Sequence, residues 1–288
     1  FGAVWLTDYL GLLAWGFALA GWLGEPLGAA GCATSNVVIA WLACLSGAVY
    51  LHRGALGGRY HPFHSWSRPS WHRWRELLRL GVPMGLSNLV EITSFTLISL
   101  FIASLGAATV AGHRIVANLA ALCYMLPLSL AIATLAAVGQ AVGARDWRRA
   151  HAAIGAGLSL GVGSSTLLGI LLWFAAEPLL AAYTSDGAVQ EVAFGLIIYV
   201  AIYQFFDALQ TISSYSLRAY HVTFLPMLVQ TACFWGIGLL GGWWFCYRAA
   251  VPMGVGGFWL ASVVSLIVAA SCLGPLLWKT MQATESTL

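Results

Sequence analysis

Eight long apolar stretches constrain this chain more than any other feature, each near or above the ~20 residues an α-helix needs to cross a bilayer. They run over approximately 2–23, 29–51, 78–104, 108–142, 149–175, 189–217, 222–247 and 254–278. Lipid cannot hydrogen-bond a backbone, so a segment in hydrocarbon closes its own N–H and C=O groups as a helix. Composition agrees: 8% of the 288 residues are charged and 60% hydrophobic, against roughly 25% charged in a soluble domain. The expected fold class is an all-α polytopic membrane protein with about eight transmembrane helices. The 32 glycines fit membrane helices, where close backbone approach replaces a hydrophobic drive that lipid cannot supply.

One polar segment interrupts the series. Residues 52–77 carry Pro62, Pro69, Trp66, Trp71, Trp74 and several arginines, and read as a connecting loop that ends in an interfacial helix. The loop divides the chain into 1–51, with two helices, and 78–288, with six. GEPLG at 24–28 marks the turn between the first two helices. Orientation follows from the basic residues. With the loop in the cytoplasm, Arg53, Arg59, Arg68, Arg73, Arg75, Arg79, Arg145, Arg148, Arg149, Arg218 and Lys279 all lie inside, leaving only Arg114 and Arg248 of the 13 basic residues elsewhere. The carboxyl terminus is then cytoplasmic too.

Several function classes find no support. A net charge of +3 is too small to indicate nucleic acid. Cys32, Cys44, Cys123, Cys233, Cys246 and Cys272 form no CxxC pair and read as small apolar side chains. His61 and His64 have a metal-like spacing without a nearby cysteine. Gly155, Gly157, Gly161 and Gly163 lie mid-helix and read as close packing, not as a phosphate-cradling loop. No nucleophile motif is present, so neither an enzyme nor a resident cofactor is expected. Pro83 and Pro127 lie inside expected helices and each removes a backbone hydrogen bond there.

Two carboxylates stand where charge is costly. Glu91 and Asp207 both fall near mid-depth of their helices, where an acid costs ~2.5–3.5 kcal/mol even on the mildest scale. Each needs a proton, a partner or a wet cavity; a neutral acid hydrogen-bonded between helices is the plain alternative. Tyr203, Asp207, Gln210 and Ser214 form one polar stripe, Ser87, Asn88, Glu91 and Ser94 a second, and Arg114 with Asn118 a third. Such stripes are expected to face the bundle interior. Their oxygens suit a hard cation such as Na⁺, or a proton. Low dielectric disfavours the bare carboxylate, so a small cation and a cationic drug would compete for one negative charge. Asp8 lies nearer a helix end, where snorkelling is expected.

At these residues the chain resembles the multidrug and toxic compound extrusion (MATE) family, in its bacterial NorM-like branch. LRLGVPMGLSNLVEITSF (78–95) resembles the family's seventh helix, with Glu91 at its acidic position. AGHRIVAN (111–118) and LPLSLAIATLAAVGQAVGARD (126–146) resemble the eighth helix and its exit. VAIYQFFDALQTI (200–212) is similar to the tenth, with Tyr203 and Asp207 at the cation-site Tyr and Asp. GVGGFW (254–259) and LGAAGCATS (27–35) resemble the openings of the twelfth and sixth.

The resemblance implies two six-helix lobes around a central cleft. Residues 78–288 would be a complete C-lobe and 1–51 the last two helices of an N-lobe whose first four precede Phe1. It implies a monomeric antiporter in the bacterial inner membrane that exports cationic or amphipathic drugs against Na⁺ or H⁺. Glu91, Asp207 and Tyr203 would couple the ion, and Asn118, Ser87, Asn88, Gln210 and Ser214 would line the cleft. Arg114 stands where the related pattern often has Gln; it is expected to snorkel outward, with offsetting one of the two acids as the alternative. A lipid-linked oligosaccharide flippase of the same superfamily, or a membrane subunit without transport activity, are the alternatives; the flippase would need a basic cleft.

Overall fold

The computed structural model describes residues 28–53, 70–249 and 253–286. The chain falls into two compact units, one ending at Trp71 and one beginning at His72. The expected helix at 2–23, Asp8, His61 and His64 lie outside the described residues. In the first unit α1 (Gly28–Arg53) is a 26-residue helix, matching the apolar stretch at 29–51. Its Val37, Trp41, Leu45 and Val49 are exposed.

The second unit holds α2 (Trp71–Ile102), α3 (Ala107–Gly143), α4 (Trp147–Phe174), α5 (Ala176–Tyr183), α6 (Gly187–Ala219), α7 (Phe224–Tyr247) and α8 (Val255–Ser286). Among the described residues all of these except the short α5 are long and apolar enough to cross a membrane, six in total. Their outer faces carry large apolar side chains such as Leu100, Leu122, Leu160, Phe174 and Leu240, all above 45% exposed. A water-soluble surface does not tolerate apolar patches of this extent. Lipid does.

Local chemistry sets the helix ends. Asp146 caps α4 by accepting the Arg149 N–H at 3.0 Å. Asp186 caps α6 by accepting the Ala188 N–H at 2.9 Å. Each satisfies a donor the first turn leaves open. The opposite ends of α3 and α6 close alike, with a left-handed residue (Arg145, φ 57°; His221, φ 62°). There Asp146 N–H reaches back to Ala141 O and Val222 N–H to Leu217 O, a terminator usually built on glycine. Gly106, at φ 107° before α3, does require glycine.

Three features differ from the sequence expectation. The helix expected at the end of the 52–77 segment is continuous with the next, residues 71–77 forming the first turns of α2. Past Pro69 no Pro or Gly interrupts the chain until Gly81, and the charges that suggest a loop decorate a solvated helix. Second, α5 is too short, at eight residues, to leave a 3.6-residue periodicity. Third, α7 is widened to π geometry over Ala232–Gly241. The helices continue through Pro83 and Pro127.

α6 is the hub of this unit, in contact with α3, α4, α5 and α8. One apolar cluster joins Val116, Leu119, Ile197, Val200, Phe234 and Leu266. A second joins Val138, Ile154, Leu217 and Leu273. The glycine reading divides. A methyl at Gly157 would strike Thr134 and one at Gly161 would strike Ile212, whereas Gly155 and Gly163 face open space.

Candidate functional site

The site exists because α2 stands off. α3 and α6 run close together, but α2 makes few close backbone approaches to either. It is held instead at two edges. Val90 joins the cluster of Val116 and Val200, and Ile98 and Ile102 pack with Leu239 and Phe258. Two side-chain bonds tie it to α7: Ser94 Oγ donates to Phe234 O at 3.1 Å, and Trp235 Nε1 donates to Thr93 Oγ1 at 3.3 Å. The space left between α2, α3 and α6 is a cavity of about 400 Å³, within the range that holds drug-sized ligands.

Each wall follows from helix periodicity. α2 contributes Glu91, Phe95 and Ser99 at spacings of four; α3 contributes Arg114, Ala117, Ala121 and Tyr124 at three and four; α6 contributes Tyr203 and Asp207, one turn apart. Thus Glu91, Tyr203 and Asp207, from two helices 116 residues apart (207 − 91), line one cavity. Asp207 is 3% exposed and Tyr203 6%, while Glu91 is half-buried. The two carboxylates share the cavity with the Tyr124 hydroxyl-bearing ring. Among the described residues neither is in an ion pair or a hydrogen bond. The Arg218 guanidinium lies 4.3 Å from the Tyr215 ring centroid instead. Two carboxylates left without partners in a membrane-depth cavity leave their charge for a ligand to satisfy.

Aromatic rings fix the upper wall. Tyr203 packs edge-on against Phe95 and Trp259, at centroid distances of 6.2 and 6.1 Å. Behind them Trp259 Nε1 donates to His113 Nδ1 at 3.3 Å, and His113 Nε2 is 3.2 Å from Ser99 Oγ.

None of the five residues expected to line the cleft is among those that line this cavity. Ser87 is buried and donates to Pro83 O at 3.0 Å, and Asn88 is exposed. Gln210 accepts from Thr211 and Ser214 from Gln230, both within the buried part of α6 beyond Asp207. Asn118 accepts from the Tyr183 hydroxyl at 2.8 Å. Arg114, expected to snorkel outward, lines the cavity. Tyr124, Phe95 and His113 carry no assignment from sequence. A phenol at mid-helix on the Arg114 stripe was the available signal for Tyr124.

Among the described residues there is no cluster of three or more His, Cys, Asp and Glu side chains that could hold a metal ion. A transient monovalent ion needs less, and the donors at hand are two carboxylates and a phenol.

Comparison with known proteins gives one consistent picture. The family model MatE matches residues 83–244. A "Probable multidrug resistance protein NorM" of Aromatoleum aromaticum is 48% identical over 277 residues, covering 95% of this chain and 60% of the relative. A protein of the same description from Chromobacterium violaceum is 38% identical, over 86% of this chain and 54% of its own length. The chain therefore spans a little over half the length of these relatives. Among solved structures, the eukaryotic MATE transporter AtDTX14 superposes with a TM-score of 0.85 at 18% identity, covering 99% of this chain and 64% of that one. An outward-facing multidrug resistance MATE family transporter of the MOP superfamily gives 0.86 at 15% identity, covering 99% and 62%. At those identities the likeness is one of fold.

Proposed function

The chain belongs to the MatE family, and from that premise we propose that its protein is a cation-coupled antiporter that exports organic cations across the bacterial inner membrane. The observation that carries this reading is the pair of unpartnered carboxylates, Glu91 and Asp207, lining one drug-sized cavity with Tyr203. Na⁺ or H⁺ satisfies the carboxylates in one step of the cycle and the drug's positive charge in the other. Because both draw on the same negative charge, each weakens the other's binding, and an inward ion gradient thereby releases the drug outward. The ion biases the transporter only through its differential affinity for two conformations. In this reading residues 78–288 form the C-lobe, 52–77 a cytoplasmic connection and 1–51 the end of an N-lobe, and the full-length protein is monomeric. Glu91, Asp207 and Tyr203 take the coupling role.

The test is Asp207→Asn in the complete gene product. Ethidium accumulation is expected to rise to the level of cells lacking the transporter, with the variant's membrane abundance unchanged. Export equal to the parent's would overturn the assignment. A flippase of lipid-linked oligosaccharides would need a basic site for pyrophosphate, and one arginine against two carboxylates gives that reading less support.

A further inference from the structure

Arg114 is the one arginine among the residues that line the cavity. Arg218 and Arg248 each lie over an aromatic ring, at 4.3 and 5.7 Å from its centroid. Arg114 has no ion pair, hydrogen bond or ring partner among the described residues. It lies seven residues into α3 from Ala107, about 10 Å along the helix, and its side chain lines the cavity it shares with Glu91 and Asp207. Its side chain is exposed where it lines the cavity, so its charge is open to a ligand there.

The two signs of charge stand at opposite ends. Tyr124, which lines the cavity with both carboxylates, lies ten residues beyond Arg114 on α3, about 15 Å at 1.5 Å per residue. An independent measure comes from α2. Ser99 is bonded to His113, the neighbour of Arg114, and Glu91 lies eight residues back from Ser99, about 12 Å. That separation keeps Arg114 from neutralising the acids, and leaves an elongated cavity negative at one end and positive at the other.

We propose that Arg114 is a specificity-determining residue that binds the carboxylate of a zwitterionic ligand whose cationic end is held at Glu91 and Asp207. The assignment deepens the export reading, since it names the ligand class of the same cavity. Its physical content is local: a planar guanidinium forms paired, charge-assisted bonds to a carboxylate, and an ester offers no such partner.

A matched pair of dyes tests this directly. Rhodamine 110 carries a carboxylate beside its cationic ring system, and rhodamine 123 is its methyl ester. Equilibrium binding to the purified complete gene product in micelles is read by fluorescence anisotropy, so the result does not depend on transport. Arg114→Gln is expected to raise the Kd for rhodamine 110 about tenfold and to change that for rhodamine 123 less than about twofold. Arg114→Lys, which keeps the charge but loses the paired bonds, is expected to fall between the parent and Arg114→Gln in rhodamine 110 affinity. Equal weakening for both dyes would reduce Arg114 to a structural part. An unchanged Kd for rhodamine 110, or no binding of it by the parent protein, would also overturn the assignment. Export of each dye from cells is measured alongside. If neither dye is exported while the binding difference holds, the export reading fails and the role of Arg114 stands.

Discussion

Trp259 on α8 donates its indole N–H to Nδ1 of His113 on α3, at 3.3 Å, and so fixes which ring nitrogen of that histidine carries its proton. With Nδ1 accepting, Nε2 holds the hydrogen and faces Ser99 Oγ at 3.2 Å. Ser99 passes its own hydrogen to Phe95 O at 3.0 Å. Every donor in this chain of groups has an acceptor, and His113 is only 2% exposed.

Trp259→Phe keeps a ring against Tyr203 but leaves His113 Nδ1 buried without a donor. A loss of about 1–3 kcal/mol is expected, read as a lower unfolding midpoint of the purified protein. Because the two groups form one unit, the double variant Trp259→Phe/His113→Ala should fall well short of the sum of the single losses. Additive losses would show that the bond contributes nothing.

The glycines of α4 should separate by what faces them. A methyl at Gly169 would come within 2.8 Å of the Ala201 carbonyl oxygen, which is backbone of α6 and cannot swing away. At Gly161 it would meet the δ-methyl of Ile212, the end of a flexible side chain, and at Gly155 nothing at all. Gly169→Ala should therefore destabilise most and Gly161→Ala less. Gly155→Ala should be neutral or stabilise by up to ~1 kcal/mol through helix propensity. Thermal unfolding of the three variants checks the order. A Gly155 variant as damaged as the Gly169 variant would contradict this packing.

What sequence made legible was set by solvent. Hydrocarbon imposes helices on apolar runs, so 108–142 and 149–175 anticipate Ala107–Gly143 and Trp147–Phe174 within two residues. The same rule singles out Glu91, Asp207 and Tyr203, because polar groups at mid-depth need an interior. Aromatic residues escape it: Phe95 looks the same in sequence whether it faces lipid or a cavity, and only its place on the Arg114 stripe marks Tyr124. Asn118 shows a different limit. It stands four residues from Arg114 and was expected to share its face, but the cavity stripe on α3 runs through Ala117, Ala121 and Tyr124. Asn118 lies one row over, bonded to Tyr183 at the end of α5. An eight-residue helix leaves no periodicity to read, so its tyrosine could not be anticipated as a partner.

Glu91 and Asp207 should prove coupled in function. If one cation or drug charge satisfies both, either Glu91→Gln or Asp207→Asn removes most of the attraction. The double variant should then weaken rhodamine 123 binding little further than the worse single one. Anisotropy titrations on the four proteins give the cycle directly. Independent, multiplying losses would place two separate sites in the cavity.

The width of the cavity depends on what holds α2 away from α3. On the α7 side that hold consists of two adjacent residues, Thr93 accepting from Trp235 Nε1 and Ser94 donating to Phe234 O. Both partners belong to the π-widened stretch Ala232–Gly241, and π turns often mark functional positions in membrane and soluble helices alike. Ser94→Ala with Trp235→Phe deletes both bonds without touching a cavity-lining side chain. Each bond contributes about 1 kcal/mol, too little to unfold a six-helix unit but enough to let α2 settle toward α3 and α6. The expected result is several-fold weaker binding of rhodamine 123 with only a small fall in unfolding midpoint. Full affinity in the double variant would mean that Val90, Ile98 and Ile102 hold α2 in place unaided.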